Sequence, residues 1–113
     1  MELFAKSFPV LCDALVAALL KEGRVDLANQ FPSGEVGRVT FDDSIGASYV
    51  HIGPGDMPHG ETVTLNGLLS ADVDVDASGK LQGVEILSAP EPLKGELRRR
   101  AAVYQIVRAD AER

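Results

Sequence analysis

The feature that most constrains this chain is a strict alternation of apolar and polar residues over positions 69–76. Successive side chains of a strand point to opposite faces of its sheet, so such a segment has one apolar face and one polar face. The polar positions are Ser70, Asp72, Asp74 and Asp76. Residues 77–80 are expected to form a turn, with Gly79 at a position that favours a positive φ, and residues 84–87 are expected to form the second strand of the hairpin. This segment predicts a β-hairpin with an aspartate stripe.

Three further segments show the same period of two. Val39 and Phe41 alternate with polar residues, and Val50 and Ile52 do so after a turn at 42–46. Residues 53–60 contain two prolines and three glycines, which do not support a ladder, and a third strand follows around Val63. The pattern predicts an antiparallel sheet of about five strands built from hairpins.

A helix is expected at each end of this sheet. Ser7 before Pro9 is typical of a helix start, and Gly23 of a helix stop, which predicts a helix over 8–22. Residues 25–31 extend the helical part by a turn or two. The apolar stripe of the first helix is Leu11, Leu15, Ala18 and Leu19, widened by Val16 and Leu20, and that of the last is Leu97, Ala101, Tyr104 and Val107.

These elements predict one α+β domain over 1–113. It comprises a helical extension over 1–32, an antiparallel β core over 35–88 and a C-terminal helix over 93–113. One sheet face is expected to bury both helical stripes. If the stripes do not fit there together, the exposed one is expected to form a homodimer or to bind a partner.

Composition excludes several classes of protein. Cys12 is the only cysteine, so an intrachain disulfide or a thiolate metal cluster cannot form. No apolar run approaches the roughly 20 residues of a membrane span, and no secretory signal is recognised, which predicts a cytoplasmic protein. The formal net charge of −6 disfavours nucleic acid as a partner, except weakly through Arg98, Arg99 and Arg100.

The segment from Asp74 to Glu85 has the spacing of an EF-hand calcium loop. Oxygen donors stand at Asp74, Asp76 and Ser78, followed by Gly79 and by Glu85 at the twelfth position. An EF-hand loop lies between two helices, however, whereas the flanks here predict strands. A cation site at Asp74, Asp76, Ser78 and Glu85 is therefore the alternative to a solvated hairpin.

The aspartate stripe is the main candidate for a binding surface. Like charges along one strand face destabilise each other, so the stripe calls for a counter-charge or for solvent. The alternatives are Arg98–Arg100 folded back, a basic partner protein, a divalent cation, or an exposed face that protects an edge strand. Tyr49 and His51 are expected on the same polar face.

No catalytic arrangement stands out in the sequence. Cys12 lies on the first predicted helix, where a packing role is expected. Tyr49, His51 and an aspartate could form a catalytic or metal site, but His59 has no ligand nearby at metal spacing, so a zinc site is not expected. We therefore predict no enzyme activity and no cofactor. A small hydrolase using His51 is kept only as a third hypothesis.

Residues 72–87 carry an aspartate-bearing strand, a glycine turn and Gly-Val-Glu-Ile-Leu, and residues 39–50 an earlier hairpin. Over about residues 38–93 this resembles the domain-of-unknown-function family 2283. The resemblance implies a small antiparallel β module of unassigned activity, with some members encoded beside ribonuclease-like toxins. It thereby implies an antitoxin-like or regulatory protein-binding role through the acidic strand face or an exposed helix stripe.

Overall fold

The computed structural model describes residues 2–42, 47–54 and 56–111, with side chains described as far as Ala101. The helices are α1 (Phe4–Ser7), α2 (Pro9–Lys21), α3 (Val25–Ala28) and α4 (Glu91–Ala111). The strands are β1 (Val36–Asp42), β2 (Ala47–Ile52), β3 (His59–Leu65), β4 (Ser70–Asp76) and β5 (Leu81–Ser88). The predicted α+β class with five strands between terminal helices is confirmed. Residues 43–46 of the predicted first turn lie outside the described residues.

The five strands form one antiparallel sheet in the order β1-β2-β5-β4-β3. Because β2 lies beside β5, the chain after β2 must cross the ends of β5 and β4 to reach β3. The crossing segment is attached to the hairpin that it passes. The Ala77 amide donates to the Pro58 carbonyl at 2.8 Å, and the Gln82 side-chain amide donates to the Met57 carbonyl at 2.8 Å.

Among the described residues, the helices cover one face of the sheet and leave the other uncovered. On the covered face the central strands contribute Val50, Val73 and Val84, all fully buried. These valines and the stripe of α2 belong to one continuous apolar core. A two-layer arrangement of helices on one sheet face follows, as expected for an amphipathic sheet.

Both helix stripes fit on that face over the described side chains. Leu11, Leu15 and Leu19 of α2 are fully buried, and Leu97 and Ala101 of α4 are almost fully buried. An exposed stripe for a partner is therefore absent from this part of the chain. Leu20, expected to widen the stripe, is 49 % exposed instead. The side chains of Tyr104 and Val107 lie outside the described residues.

Helix α1 and its surroundings were missed by the sequence reasoning. Phe4 packs against both Phe8 and Phe31, with ring centroids 5.2 Å apart in each pair. The Phe4 amide donates to the Gly34 carbonyl, and the Val36 amide donates to the Glu2 carbonyl, each at 2.8 Å. These hydrogen bonds join the first residues to the start of β1. The aromatic contacts of Phe4 and Phe8 hold the short helix against the core.

The predicted capping role of Ser7 is wrong. Helix α2 begins after Phe8, and Ser7 belongs to α1, where its hydroxyl lies 3.4 Å from Glu2 Oε1. The acceptor for the first amides of α2 comes from α4 instead. Glu96, 8 % exposed, accepts hydrogen bonds from the Val10 and Leu11 amides, each at 3.0 Å. A carboxylate at a helix N-terminus is favourable, so this contact joins the two helices.

The sequence placed the remaining helix boundaries within a few residues. Gly23 adopts a φ of 77° after α2, as a helix stop requires, and Gly79 adopts 88° in the β4–β5 turn. Helix α4 begins at Glu91 rather than at residue 93. Pro92 is tolerated there because the first turn of a helix does not need its amide hydrogen.

Candidate functional site

The uncovered face of the sheet carries the polar side chains of the strands in two neighbouring rows. The strand register defines these rows across β3, β4, β5 and β2. We call this surface the polar sheet face. The first row is Thr64, Asp72, Glu85 and Tyr49, and the second row is Thr62, Asp74, Gly83 and His51. The structure therefore places Asp72, Asp74, Tyr49 and His51 on one face, as predicted.

Hydroxyl groups on neighbouring strands hold the two aspartates. Asp74 accepts a hydrogen bond from the Tyr49 hydroxyl on one oxygen and from the Thr62 hydroxyl on the other, each at 2.8 Å. Asp72 accepts from the Thr64 hydroxyl at 2.8 Å. These donors are neutral hydroxyl groups, so they define the positions of the carboxyl groups without supplying a counter-charge. The alternatives drawn from the sequence were Arg98–Arg100, a basic partner protein, a divalent cation or solvent, and they did not include these hydroxyl groups.

Gly83 lets the Tyr49 ring reach Asp74. A Cβ atom at this position would lie 2.5 Å from the Tyr49 ring and hydroxyl, closer than carbon atoms approach. The Tyr49 ring, which belongs to the first row, therefore lies over Gly83 of the second row. The sequence reasoning missed Gly83, although a lone glycine inside a strand often marks such a close approach.

The ionisation of Tyr49 and His51 follows from their surroundings. Burial raises the pKa of Tyr49, and the hydrogen bond to Asp74 raises it further, which keeps the hydroxyl a donor. Burial lowers the pKa of His51, and the positive charge of Arg38 lowers it further. Arg38 Nη2 lies 3.1 Å from His51 Nε2. Because a guanidinium has only donors, Nε2 is the unprotonated acceptor, and His51 is neutral near pH 7.

Asp76, expected in the aspartate stripe, does not share the polar sheet face with Asp72 and Asp74, because its side chain is hydrogen-bonded within the β4–β5 turn. Its side chain is 9 % exposed and closes the β4–β5 turn. One carboxylate oxygen accepts from the Ser78 amide at 2.8 Å, the Ser78 hydroxyl at 2.6 Å and the Lys80 amide at 3.0 Å. The turn has free backbone amides that the middle of a strand lacks, and Asp76 accepts hydrogen bonds from them. Its side chain therefore stabilises the turn.

The pH dependence of stability should report this role of Asp76. Its hydrogen bonds to Ser78 and Lys80 lower the pKa of the carboxyl group, so the folded state favours the ionised form. Asp76 therefore stabilises the fold above its unfolded pKa of about 3.9, and this stabilisation is lost as the pH falls through the lower folded value. Thermal unfolding from pH 7 to pH 2 should show Asp76→Asn losing less stability on acidification than the wild type. Equal losses would contradict the assignment.

The four residues of the alternative cation site are not brought together. The segment forms a hairpin, in which Asp74 lies opposite Gly83 and Glu85 lies opposite Asp72. One carboxylate oxygen of Asp76 already accepts the Ser78 and Lys80 amides within the turn. Among the described residues, no group of three His, Cys, Asp or Glu side chains is arranged to hold a metal ion. The residues with EF-hand spacing therefore form a β-hairpin, in which Asp76 and Ser78 belong to the turn region.

The arginines of α4 do not fold back over the aspartates. The Arg98 guanidinium lies 5.4 Å from the centroid of the Phe41 ring and 3.3 Å from Glu91 Oε1. Arg100 Nη2 donates to Glu2 Oε2 at 2.5 Å. Since α4 packs on the covered face, the hypothesis of an internal counter-charge is wrong for Arg98 and Arg100. Arg99 is exposed.

Cys12 is buried in the core, and His59 is in contact with neighbouring polar side chains. The Cys12 side chain is 3 % exposed, and burial raises the pKa of its thiol, as do the charges of Asp13 and Glu96. A protonated, buried thiol suits the predicted packing role. His59 lies at the start of β3, where its ring contacts the side chains of Gln82 and Thr62 at 3.2 Å.

A separate depression of about 690 Å³ lies at the end of the sheet, beside the crossing segment. Its walls come from the α3–β1 connection, the crossing segment and the β4–β5 turn. Ile52, Pro54, Met57 and Leu81 supply apolar surface, while Gln30 and Lys80 supply polar groups. The Gln30 side chain donates from Nε2 to the Gly79 carbonyl and accepts from the Leu81 amide at Oε1, which fixes the turn. The depression and the aspartates of the polar sheet face are therefore two different surfaces.

The fold and the polar sheet face define an α+β protein with helices on one side of an antiparallel sheet and ordered acidic groups on the other. Comparisons with protein-family models, curated proteins and solved structures found no match. The resemblance to the domain-of-unknown-function family 2283 therefore stays a prediction. Over the described residues, the structure contains no helix with the length and apolar character needed to cross a membrane.

Proposed function

We propose that this chain is a non-enzymatic protein-binding module whose polar sheet face receives a basic surface of a partner protein. The observation that carries the proposal is the pair Asp72 and Asp74 on a face that no described helix covers. Their carboxylates are held by Thr64, Thr62 and Tyr49. Glu85 lies beside Asp72 in the same row and adds a third acidic group.

Charge supports a basic partner. The formal net charge of the chain is −6, and the three carboxylates concentrate negative charge on adjacent strands. Complementary charge steers association and selects partners, even where each exposed pair contributes little affinity. An Arg- or Lys-rich surface is the partner chemistry that fits this face.

The hydrogen bonds also support a binding surface by limiting side-chain motion. A carboxylate that is already held in one position loses less conformational entropy when a partner binds. Asp74 is held from both sides by hydroxyl groups of β2 and β3. The side chains are half-buried rather than extended into solvent. The face is therefore preorganised.

An antitoxin-like or regulatory role is the specific form of this proposal. It rests on the resemblance of residues 38–93 to the family of unknown function 2283, together with the acidic face that suits a basic toxin surface. A cytoplasmic location belongs to the same proposal. The partner class is a basic protein, and nucleic acid fits the face poorly because its phosphates carry like charge.

A charge-matched pair of variants tests the face. The probe is a synthetic peptide of alternating Arg and Lys, titrated into ¹⁵N-labelled protein at low salt. Asp72→Asn/Asp74→Asn should weaken binding on the order of tenfold, because two surface charge contacts of about 0.7 kcal/mol each amount to about 1.4 kcal/mol. Amide shifts should concentrate on β4, β5 and β2.

The control is Asp13→Asn/Glu22→Gln, which removes the same charge from two exposed positions, one on α2 and one directly after it. This variant should bind the peptide within about twofold of the wild type if the face, rather than net charge, is responsible. Equal losses in the two double variants would contradict the proposal, as would shifts spread evenly over the surface. Asparagine can accept one of the two hydroxyl hydrogen bonds of Asp74 through its amide oxygen and donate its NH2 group to the other hydroxyl, so the fold is expected to be retained.

A further inference from the structure

The outer edge of β3 is open. β3 pairs with β4 on one side, and among the described residues no strand pairs with its other side. The opposite edge of the sheet is partly covered, because residue Leu3 forms a bridge with Glu35 and the Val36 amide bonds to the Glu2 carbonyl. The two edges therefore differ, and β3 presents unpaired backbone groups to solvent.

The regular part of β3 carries little protection against pairing. Residues 61–65 pair with β4 without interruption, and the irregularity lies before them, between His59 and Glu61. Edge strands are usually protected by lysine, proline or a bulge. Residues 61–65 contain neither lysine nor proline, and three of them are β-branched. The charge of Glu61 is held by Arg24 of the same chain, at 2.6 Å.

We propose that a second copy of this chain pairs antiparallel with β3 about a twofold axis at Val63. Val63 is the middle residue of the regular segment 61–65. In antiparallel pairing, directly opposed residues point to the same face, so a symmetric pair requires a residue that opposes itself. With Val63 at the axis, Thr62 opposes Thr64 of the second copy, and Glu61 opposes its Leu65.

This register is free of opposed like charges and allows threonine hydroxyls to meet on the polar sheet face. Cross-strand threonine pairs stabilise antiparallel sheets, whereas opposed like charges destabilise them. The open edge is thus complementary to itself. A second copy needs no surface that the structure does not already provide.

Two exposed apolar side chains strengthen the case for a second copy. Met57 before β3 is 45 % exposed, and Leu68 after β3 is 91 % exposed. Met57 and Leu68 lie beyond the two ends of β3, so an antiparallel second copy brings its Leu68 towards the end of β3 at which Met57 of the first copy lies. The twofold axis repeats this arrangement at the other end. Two apolar contacts would then flank the strand pair, as a symmetric interface requires.

Sedimentation equilibrium across concentrations from about 1 µM to about 1 mM tests the assembly, since this range brackets weak and moderate affinities. The expected mass at high concentration is twice the 12.0 kDa of the chain. Leu68→Lys should return the mass to that of one chain at concentrations where the wild type has the doubled mass. Because Leu68 is 91 % exposed, this change leaves the fold of each copy intact. A single-chain mass throughout would overturn the proposal and leave the edge to a strand of another protein.

Single cysteines test the register, in a Cys12→Ala background and a glutathione redox buffer. Opposed residues of an antiparallel pair have Cα atoms about 4.5–5.5 Å apart, within the range for a disulfide. Val63→Cys should therefore form a disulfide-linked dimer readily, whereas Thr62→Cys, opposite Thr64, should link at least about fivefold less. Thr40→Cys on the other edge strand is the control and should stay unlinked. A doubled mass without preferred linkage of Val63→Cys would show that another surface forms the dimer, and would overturn the proposal.

Discussion

Replacing Phe4 by alanine is expected to lower the free energy of unfolding by about 3–5 kcal/mol, the usual cost of removing a buried aromatic ring. The Phe4 side chain is fully buried and contacts Phe8 and Phe31 at centroid distances of 5.2 Å. Its loss leaves a cavity between the first residues, α2 and the segment before β1. Urea unfolding followed by circular dichroism measures the change.

The neighbouring residue provides the control for Phe4. Leu3 is 38 % exposed and lies in the same segment, so Leu3→Ala should cost less than about 1.5 kcal/mol. Similar losses for the two variants would mean that the segment contributes through its backbone pairing with β1 rather than through the aromatic cluster. No loss for Phe4→Ala would contradict the placement of α1 in the core.

The second large effect is expected at Glu96, where alanine should cost about 2–4 kcal/mol. Its carboxylate accepts the Val10 and Leu11 amides at 3.0 Å each, in a site where the side chain is 8 % exposed. Hydrogen bonds to a charged group are stronger than neutral ones. Without the carboxylate, amides that are shielded from water would have no acceptor, and this costs free energy of folding. Loss of the carboxylate should also loosen α4 from α2. Hydrogen exchange should show faster exchange of the Val10 and Leu11 amides.

Two further variants separate the capping of α2 from general effects on α4. Glu96→Gln keeps one acceptor oxygen and should lose less stability than Glu96→Ala. Glu91→Ala removes an exposed carboxylate of the same helix that pairs with Arg98 at 3.3 Å, and such a pair contributes at most about 1 kcal/mol. If Glu91→Ala and Glu96→Ala cost the same, the buried carboxylate has no special role.

Much of the architecture follows from local patterns. The alternation over 69–76 reports a strand buried on one face, because a strand exposes its side chains with a period of two. Gly23 and Gly79 mark a helix end and a turn, since both adopt the positive φ that favours glycine. The apolar spacing of Leu11, Leu15 and Leu19 likewise identifies the buried face of α2.

The candidate site was only partly accessible to such reasoning. Alternation alone placed Asp72, Asp74, Tyr49 and His51 on one face. The same alternation misplaced Asp76, because the end of a strand offers backbone amides that compete for a carboxylate. The hydroxyl donors of Thr62 and Thr64 come from β3, and alternation does not reveal that β3 lies beside β4.

By itself, the sequence determined the fold class, the approximate strands and helices, and the face on which most of the polar residues lie. These properties depend on neighbours in the chain, where side-chain period and turn chemistry act. Tertiary structure alone decided the strand order, the capping of α2 by Glu96, the passage of Tyr49 over Gly83 and the open edge of β3. Each of these features depends on which residues far apart in the chain come into contact. Such contacts are set by how whole helices and strands pack rather than by any local pattern.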